Sequence, residues 1–179
     1  MIEFSNNEYI EINNPGKNNY IPIRILHKNE DGYNAILLPT SKEIKIYNYQ
    51  LINYGYKKIW VSEKLLNQLG FKKVGFIYTL GNTIIWECII GEMKNIIDPY
   101  YLYEYKSKFL GYAILKDNEV ENFKKDYTKI DFNSTNHEIK EKYFFTSSIS
   151  DIFNRLLDDG LENYNYKEFD KIILDNNQI

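Results

Sequence analysis

The order in which strand and helix patterns follow one another constrains this fold more than any other feature of the sequence. Between residues 21 and 49, three segments in succession carry the alternating apolar and β-branched side chains of strands. Asp31-Gly32 separates the first two and is typical of a hairpin turn, and Pro39 ends the second. Strands joined by short connections pair antiparallel, so we expect a largely antiparallel sheet to begin at about Ile21.

A helix pattern interrupts the strands at residues 62–69. Ser62 stands at the N-cap position, Gly70 follows the last apolar residue, and three leucines between them recur at helical spacing. These signals predict one short helix inserted in the sheet.

Strand patterns return after this helix. Residues 74–80 and 83–90 flank Gly81-Asn82, which is typical of a second hairpin turn. Residues 111–115 predict a last short strand. The sheet is therefore expected to end at about Leu115.

The sequence changes towards helix after Lys116. Residues 119–127 predict a short helix with a charged outer face. Ser150 is expected to cap a second helix, whose apolar stripe ends at Gly160. Residues 164–174 fit either a helix or a strand.

Strand patterns that precede helix patterns favour the α+β class over alternating βαβ units. We predict a largely antiparallel sheet with one inserted helix and a helical C-terminal third. A chain of 179 residues is near the usual size of one domain, so we predict a single α+β domain. It comprises a polar lead at 1–20, a sheet-rich core at 21–116 and an acidic, mainly helical segment at 117–179.

The amino-acid usage is biased in a way that affects every functional interpretation. Ile, Lys, Asn and Tyr are abundant, Ala occurs only at Ala35 and Ala113, and Arg occurs only twice. The favoured residues have A/T-rich codons, so an A/T-rich genome explains the bias. Part of the count of 17 Tyr then reflects the genome and not a binding surface.

The N-terminal residues and the single cysteine indicate a cytoplasmic protein. Residues 1–8 contain acids and no apolar core of a signal peptide. The most apolar stretches are shorter than the roughly 20 residues of a membrane span, so we expect no membrane partner. Cys88 lies in the apolar run at 83–90, where a buried and unreactive thiol is expected.

Charge is distributed unevenly along the chain. Residues 42–116 carry eleven basic and six acidic side chains, whereas residues 117–179 carry eight basic and fourteen acidic ones. Solvated helix faces explain the acids, but an acidic surface can also dock a basic partner by charge complementarity. The candidate docking residues are Asp151, Asp158, Asp159 and Glu162.

A Tyr-rich and Lys-rich segment at residues 47–60 offers a different hypothesis. Aromatic side chains interleaved with lysines can stack unpaired bases while the cations follow the phosphates. The alternative is a strand edge and loop packed by its own aromatics. The candidate residues for binding single-stranded nucleic acid or a nucleotide are Tyr54, Tyr56, Lys57, Lys58 and Trp60.

Catalytic patterns are weak throughout the sequence. The best candidate combines Asp98 with Glu104 and Lys106, as in a nuclease whose carboxylates hold a divalent ion beside a lysine. This site would need a strand at 102–106, yet residues 100–109 fit either helix or strand and we favour a helix. One Cys and two His exclude a closed structural zinc site, and no phosphate-binding loop occurs. We therefore predict no metal and no cofactor.

These patterns favour a small intracellular binding protein that docks another macromolecule, most simply another protein, as an inhibitor or immunity-type protein does. The alternative is a metal-dependent enzyme or a binding protein acting on nucleotides or single-stranded nucleic acid. The patterns give no prediction of the oligomeric state.

Overall fold

The computed structural model of the chain describes residues 3–17, 19–95, 103–130, 142–158 and 164–177. These residues form two antiparallel sheets of five strands each together with helices, which confirms the α+β class. They belong to two compact units: unit 1 is Met1–Leu69 with Ser148–Ile179, and unit 2 is Gly70–Ser147. The single domain that we predicted stays a prediction.

Ten strands lie in the described residues. Those of unit 1 are β1 Tyr9–Asn14, β2 Asn19–Lys28, β3 Gly32–Leu37, β4 Lys42–Tyr47 and β5 Tyr56–Lys58, in the sheet order β4-β3-β2-β1-β5. Those of unit 2 are β6 Lys72–Val74, β7 Ile77–Leu80, β8 Thr83–Asn95, β9 Tyr103–Lys116 and β10 Phe144–Thr146, in the order β10-β9-β8-β7-β6.

The α-helices among the described residues are α1 Asn48–Tyr54, α2 Glu63–Gln68, α3 Val120–Tyr127, α4 Ile149–Asp158 and α5 Tyr166–Asn177. The predicted inserted helix is confirmed as α2, and the Ser62 hydroxyl accepts a hydrogen bond from the Leu65 amide at 3.3 Å. A second helix, α1, also lies between the strands. The open choice at 164–174 is settled as the helix α5.

The N-terminal part of the sheet in unit 1 corrects the predicted polar lead. β1 occupies residues 9–14 and pairs with β2 through the whole of its length. Tyr9 and Ile10 are buried, although Asn and Glu residues surround them in sequence. Because of these polar neighbours, hydropathy alone does not predict a strand here.

Helices cover both faces of the unit 1 sheet. One face contributes isoleucines such as Ile10 and Ile23 to a buried cluster, onto which Leu51 of α1 packs. Tyr9, which alternates with Ile10, points to the other face, where its ring meets that of Phe153 in α4 edge-on at 5.2 Å. Phe153 in turn stacks on Phe169 of α5 with 4.0 Å between the ring centroids.

Ser150 does not cap α4 as predicted. The helix begins one residue earlier, at Ile149, so Ser150 lies in the first turn. Its side chain is buried, and its hydroxyl oxygen accepts a hydrogen bond from the Tyr9 amide at 2.8 Å. Ser150 therefore links α4 to β1 through this hydrogen bond. The predicted end at Gly160 lies outside the described residues.

The sheet of unit 2 confirms the second hairpin and corrects its surroundings. Gly81-Asn82 joins β7 to β8, with Leu80 opposite Thr83. β9 runs through residues 103–116, so the helix favoured at 102–106 is wrong, and the strand predicted at 111–115 is confirmed as the end of a longer strand. Pairing with β8 along this length decides the conformation, which the local pattern left ambiguous.

One face of this sheet is covered by α3. Phe123 of α3 is fully buried against Cys88, Ala113 and Leu115. Gly111 has a φ of 121°, and a Cβ there would lie 3.2 Å from the Thr146 carbonyl oxygen. A glycine is therefore required where β10 approaches β9.

Candidate functional site

The outer side of α1 exposes apolar side chains. Tyr49 is 55% exposed and Ile52 is 69% exposed, and their spacing of three residues places both on one side of the helix. The ring of Tyr47 stacks on that of Tyr49 with 5.6 Å between centroids. We call Tyr47, Tyr49 and Ile52 the α1 surface. Its sequence signal is the absence of any charged residue from 47 to 56.

Hydrogen bonds tie both ends of α1 to neighbouring parts of unit 1. At its start, the Asn48 amide donates to the Asp31 carbonyl at 2.9 Å, and the Tyr47 amide donates to the Gln50 side chain at 2.9 Å. At its end, the Asn13 amide donates to the Gly55 carbonyl at 3.2 Å. A positive φ of 83° at Gly55 ends the helix. The α1 surface is thus presented by a fixed element, as a preorganised binding surface requires.

A cavity of about 470 Å³ opens beside α1, and we call it the α1 cavity. Its floor consists of aliphatic side chains from four strands, namely Ile12, Ile21, Leu37, Ile44 and Ile46. Gln50, Leu51 and Tyr54 of α1 form one wall. This lining is mainly apolar, with a few polar groups, as is usual for small-molecule sites.

Lys45 of β4 borders the α1 cavity, but its side chain alternates with those of Ile44 and Ile46, which face the cavity. The Lys45 ammonium nitrogen lies 3.7 Å from the Asp31 carboxylate and 5.0 Å from the centre of the Tyr47 ring. Both partners of this ion pair are exposed, so the pair contributes little to stability. Asn13 and Asn14 add amide groups to the lining.

A second, polar cavity of about 130 Å³ brings together two residues that the sequence assigned to different sites. Lys58 and Asp151 both line it, with Ser148 and Asn154. Glu8, which is only 8% exposed, pairs with the Lys58 ammonium at 3.1 Å. The Lys58 cation is therefore engaged by a buried carboxylate at the end of β5.

The five candidate residues for nucleic-acid binding do not share one surface. Tyr54 lines the α1 cavity, whereas Tyr56 packs edge-on against Phe4 at 5.0 Å. The ammonium of Lys57 lies 3.7 Å from the centre of the Tyr20 ring. Consecutive strand residues point to opposite faces, which separates Tyr56 from Lys57.

The other two candidates, Lys58 and Trp60, have different surroundings. Lys58 lies in the polar cavity, and Trp60 is 58% exposed. A stacking platform needs aromatic faces and cations along one track. Lys57 lies over the Tyr20 ring and Lys58 beside the Glu8 carboxylate, so the two cations do not follow one track.

The acidic candidates are only partly brought together. Asp151 and Asp158 lie two turns apart on α4, with Arg155 between them on the same side. Asp159 and Glu162 lie outside the described residues. By sequence, unit 2 holds eleven acidic and eleven basic residues, and unit 1 holds fourteen and eleven. The two units therefore differ in net charge much less than residues 42–116 and residues 117–179 do.

The candidate nuclease residues fall in β9 or outside the described residues. Glu104 and Lys106 lie in β9, so the strand that this site requires is present. The register places them opposite Lys94 and Glu92 of β8. Asp98 lies outside the described residues. Within those residues, no group of three or more His, Cys, Asp and Glu could hold a metal ion.

Comparison of the chain with protein-family models, curated proteins and solved structures gives no match. In the part of the chain that the structure describes, every helix is too short or too polar to cross a membrane. The functional interpretation therefore depends on the α1 surface and the two cavities.

Proposed function

We propose that this protein is a non-enzymatic binding protein that docks another protein through the α1 surface. The exposure of Tyr49 and Ile52 on a helix fixed at both ends carries the proposal. Contiguous apolar patches on a protein surface often mark interaction sites. Inhibitors and immunity-type proteins act in this way, by occupying a partner without chemical turnover.

The chemistry of the α1 surface favours an apolar patch on a protein as its partner. The centres of protein interfaces are depleted in charged residues and enriched in aromatic ones. Residues 47–56 contain four Tyr and no charged residue, in a chain that is 26% charged. A nucleic acid would instead require several unpaired cations on this surface, because phosphate contacts dominate its affinity. The Lys45 ammonium over the Tyr47 ring is paired with Asp31.

Tyr49 and Ile52 are expected to contribute most of the binding energy. Truncation of an aromatic side chain at the centre of an interface often weakens binding by about 2 kcal/mol or more. Gln is a good helix former, so replacement of both residues with Gln should keep α1 intact. We therefore expect the Tyr49→Gln/Ile52→Gln variant to bind its partner at least about 30-fold more weakly.

The test begins with a photo-crosslinking amino acid at position 52 and, as a control, at the exposed Lys64 of α2. A protein captured from the host at position 52 and not at 64 is then purified, and its Kd is measured with wild-type and variant protein. Asp158→Lys is the matched control, since Asp158 is exposed on α4.

A loss of affinity in the Gln variant with an unchanged Asp158→Lys variant supports the proposal. The reverse result would assign docking to the acidic surface. Equal affinity of the wild type and the Gln variant, or RNA as the captured molecule, would contradict it.

A further inference from the structure

The α1 cavity lies where α1 leaves part of its sheet uncovered. Seven residues span about 10 Å, whereas five strands are about 19 Å across. Leu51 of α1 packs on the centre of the face, where Ile10 and Ile23 are fully buried. Ile12 and Leu37 pack against that cluster but are only partly buried, and they line the cavity. The sheet therefore offers aliphatic surface that a ligand can cover.

The charges around the α1 cavity favour an uncharged ligand. Among the described residues that line it, Lys45 is the one with a charge. Lys45 alternates in β4 with Ile44 and Ile46, which face the cavity, and its ammonium pairs with Asp31, which does not line it. An ionised ligand would thus lose hydration in this space without meeting a counter-charge, and such burial is costly.

Two side-chain amides of the lining have their oxygens engaged. The Gln50 oxygen accepts a hydrogen bond from the Tyr47 amide at 2.9 Å, and the Asn14 oxygen accepts one from the Gly16 amide at 3.3 Å. Because a backbone N–H only donates, these bonds fix which end of each side chain is the oxygen. Neither NH2 group donates to any residue that the structure describes. Both groups are therefore available as donors to a ligand.

These donors lie beside the aliphatic surface. Asn14 follows Ile12 by two residues in β1, so both lie on the cavity face of the sheet. Gln50 and Tyr54 are one turn apart in α1 and both line the cavity. An apolar lining with a few polar groups that fix orientation is typical of small-molecule sites, and about 470 Å³ lies within their range of roughly 300–1,000 Å³.

We infer that the α1 cavity binds a small uncharged molecule with an aliphatic or aromatic body and one or more carbonyl groups, which accept hydrogen bonds from the Gln50 and Asn14 side chains. The body covers the aliphatic lining, and removal of that surface from water favours binding. This inference is independent of the docking function, because Tyr49 and Ile52 do not line the cavity.

The test uses three fluorescent probes built on naphthalene. Prodan (6-propionyl-2-dimethylaminonaphthalene) is uncharged and has a ketone, N-phenyl-1-naphthylamine is uncharged and has no carbonyl, and 1-anilinonaphthalene-8-sulfonate is an anion. Prodan is titrated directly, and the other two are measured by displacement of Prodan. The wild-type protein should bind Prodan at least about tenfold more tightly than the sulfonate, because the anion finds no counter-charge in the cavity.

The variant Gln50→Glu removes the donors of this side chain and keeps its acceptor. Glu can accept from the Tyr47 amide as Gln does, so α1 should stay intact. Prodan should bind this variant about tenfold more weakly, whereas N-phenyl-1-naphthylamine, which needs no donor, should change by less than about threefold. Asn53→Asp is the matched control, because it adds the same charge to α1 at an exposed residue that does not line the cavity.

Two results separate this site from the docking surface. The Tyr49→Gln/Ile52→Gln variant should bind Prodan as the wild type does, since neither residue lines the cavity. The Gln50→Glu variant should keep its affinity for the docking partner. Loss of Prodan binding in the first variant would overturn the assignment of Prodan to the cavity.

NMR of the wild-type protein makes the result independent of any variant's folding. On addition of Prodan, the methyl signals of Ile12, Ile21 and Ile44 and the side-chain NH2 signals of Gln50 and Asn14 should shift most. The inference is overturned if Prodan does not bind, if the largest shifts fall on other residues, or if the sulfonate binds as tightly as Prodan. It is also overturned if Gln50→Glu leaves the affinity for Prodan unchanged or weakens both uncharged probes equally.

Discussion

Replacement of Asp170 with Asn should destabilise the protein strongly, because this carboxylate joins α5 to the sheet of unit 1. Arg24 in β2 donates to its two oxygens from Nε at 2.9 Å and from Nη2 at 3.1 Å. The Tyr9 hydroxyl donates to the same carboxylate at 2.8 Å. Burial and the Asp170 charge raise the pKa of Tyr9 far above its usual range, so this phenol remains a donor.

The expected magnitude follows from the burial of the pair. The Arg24 and Asp170 side chains are 13% and 20% exposed. Removal of one partner of a fully buried pair costs about 3–5 kcal/mol, because the other charge is left uncompensated. Partial exposure of both groups allows water to screen the remaining charge. We therefore expect Asp170→Asn to lower the free energy of unfolding by about 2–3 kcal/mol.

Urea unfolding followed by circular dichroism measures this loss. Glu3→Gln is the control, since the Lys28–Glu3 pair is exposed and its loss should change stability by less than about 0.5 kcal/mol. The double variant Arg24→Met/Asp170→Leu removes both charges and should recover only part of the loss, because the buried Tyr9 hydroxyl loses its acceptor. A loss below about 0.5 kcal/mol in Asp170→Asn would refute the structural role of the pair.

Two further predictions concern single groups in unit 2. The Lys142 hydrogen bond, with those of Tyr143 and Lys129, holds the pKa of Asp126 at about 2. The unfolded value is about 3.9, so Asp126 stabilises the fold fully above that pH and progressively less as the pH falls towards 2. The stability gap between wild type and Asp126→Asn, measured by urea unfolding, should therefore shrink between pH 5 and pH 2, and a constant gap would disagree. Burial raises the pKa of the Cys88 thiol to about 12. At pH 8 the folded protein should react with a disulfide reagent about a thousand times more slowly than in urea, whereas prompt reaction would show an accessible thiolate.

The elements that could be predicted from sequence are those with strong local signals. Gly81-Asn82 joins β7 to β8 as expected, and Ser62 caps α2. A hairpin also joins β2 to β3 as expected, but its connection is residues 29–31, and Gly32 is the first residue of β3. Local chemistry determines these elements, because a hairpin turn or a helix cap needs particular residue types whatever the surroundings.

The elements that could not be predicted depend on distant contacts. α1 consists of Tyr, Asn, Gln, Leu and Ile, which include poor helix formers, and forms because Leu51 covers the sheet. β9 becomes a strand through pairing with β8. The α1 cavity and the polar cavity that Glu8, Lys58 and Asp151 line likewise combine residues far apart in sequence. No local sequence pattern predicts such combinations.

Hydrogen exchange in the presence of the crosslinked partner, purified and added in excess, tests the docking proposal most directly. The account predicts that the amides of α1, residues 48–54, exchange more slowly in the complex, while those at the C-terminal end of α4 are unchanged. Slower exchange in α4 with unchanged exchange in α1 would contradict it and assign docking to the acidic helix.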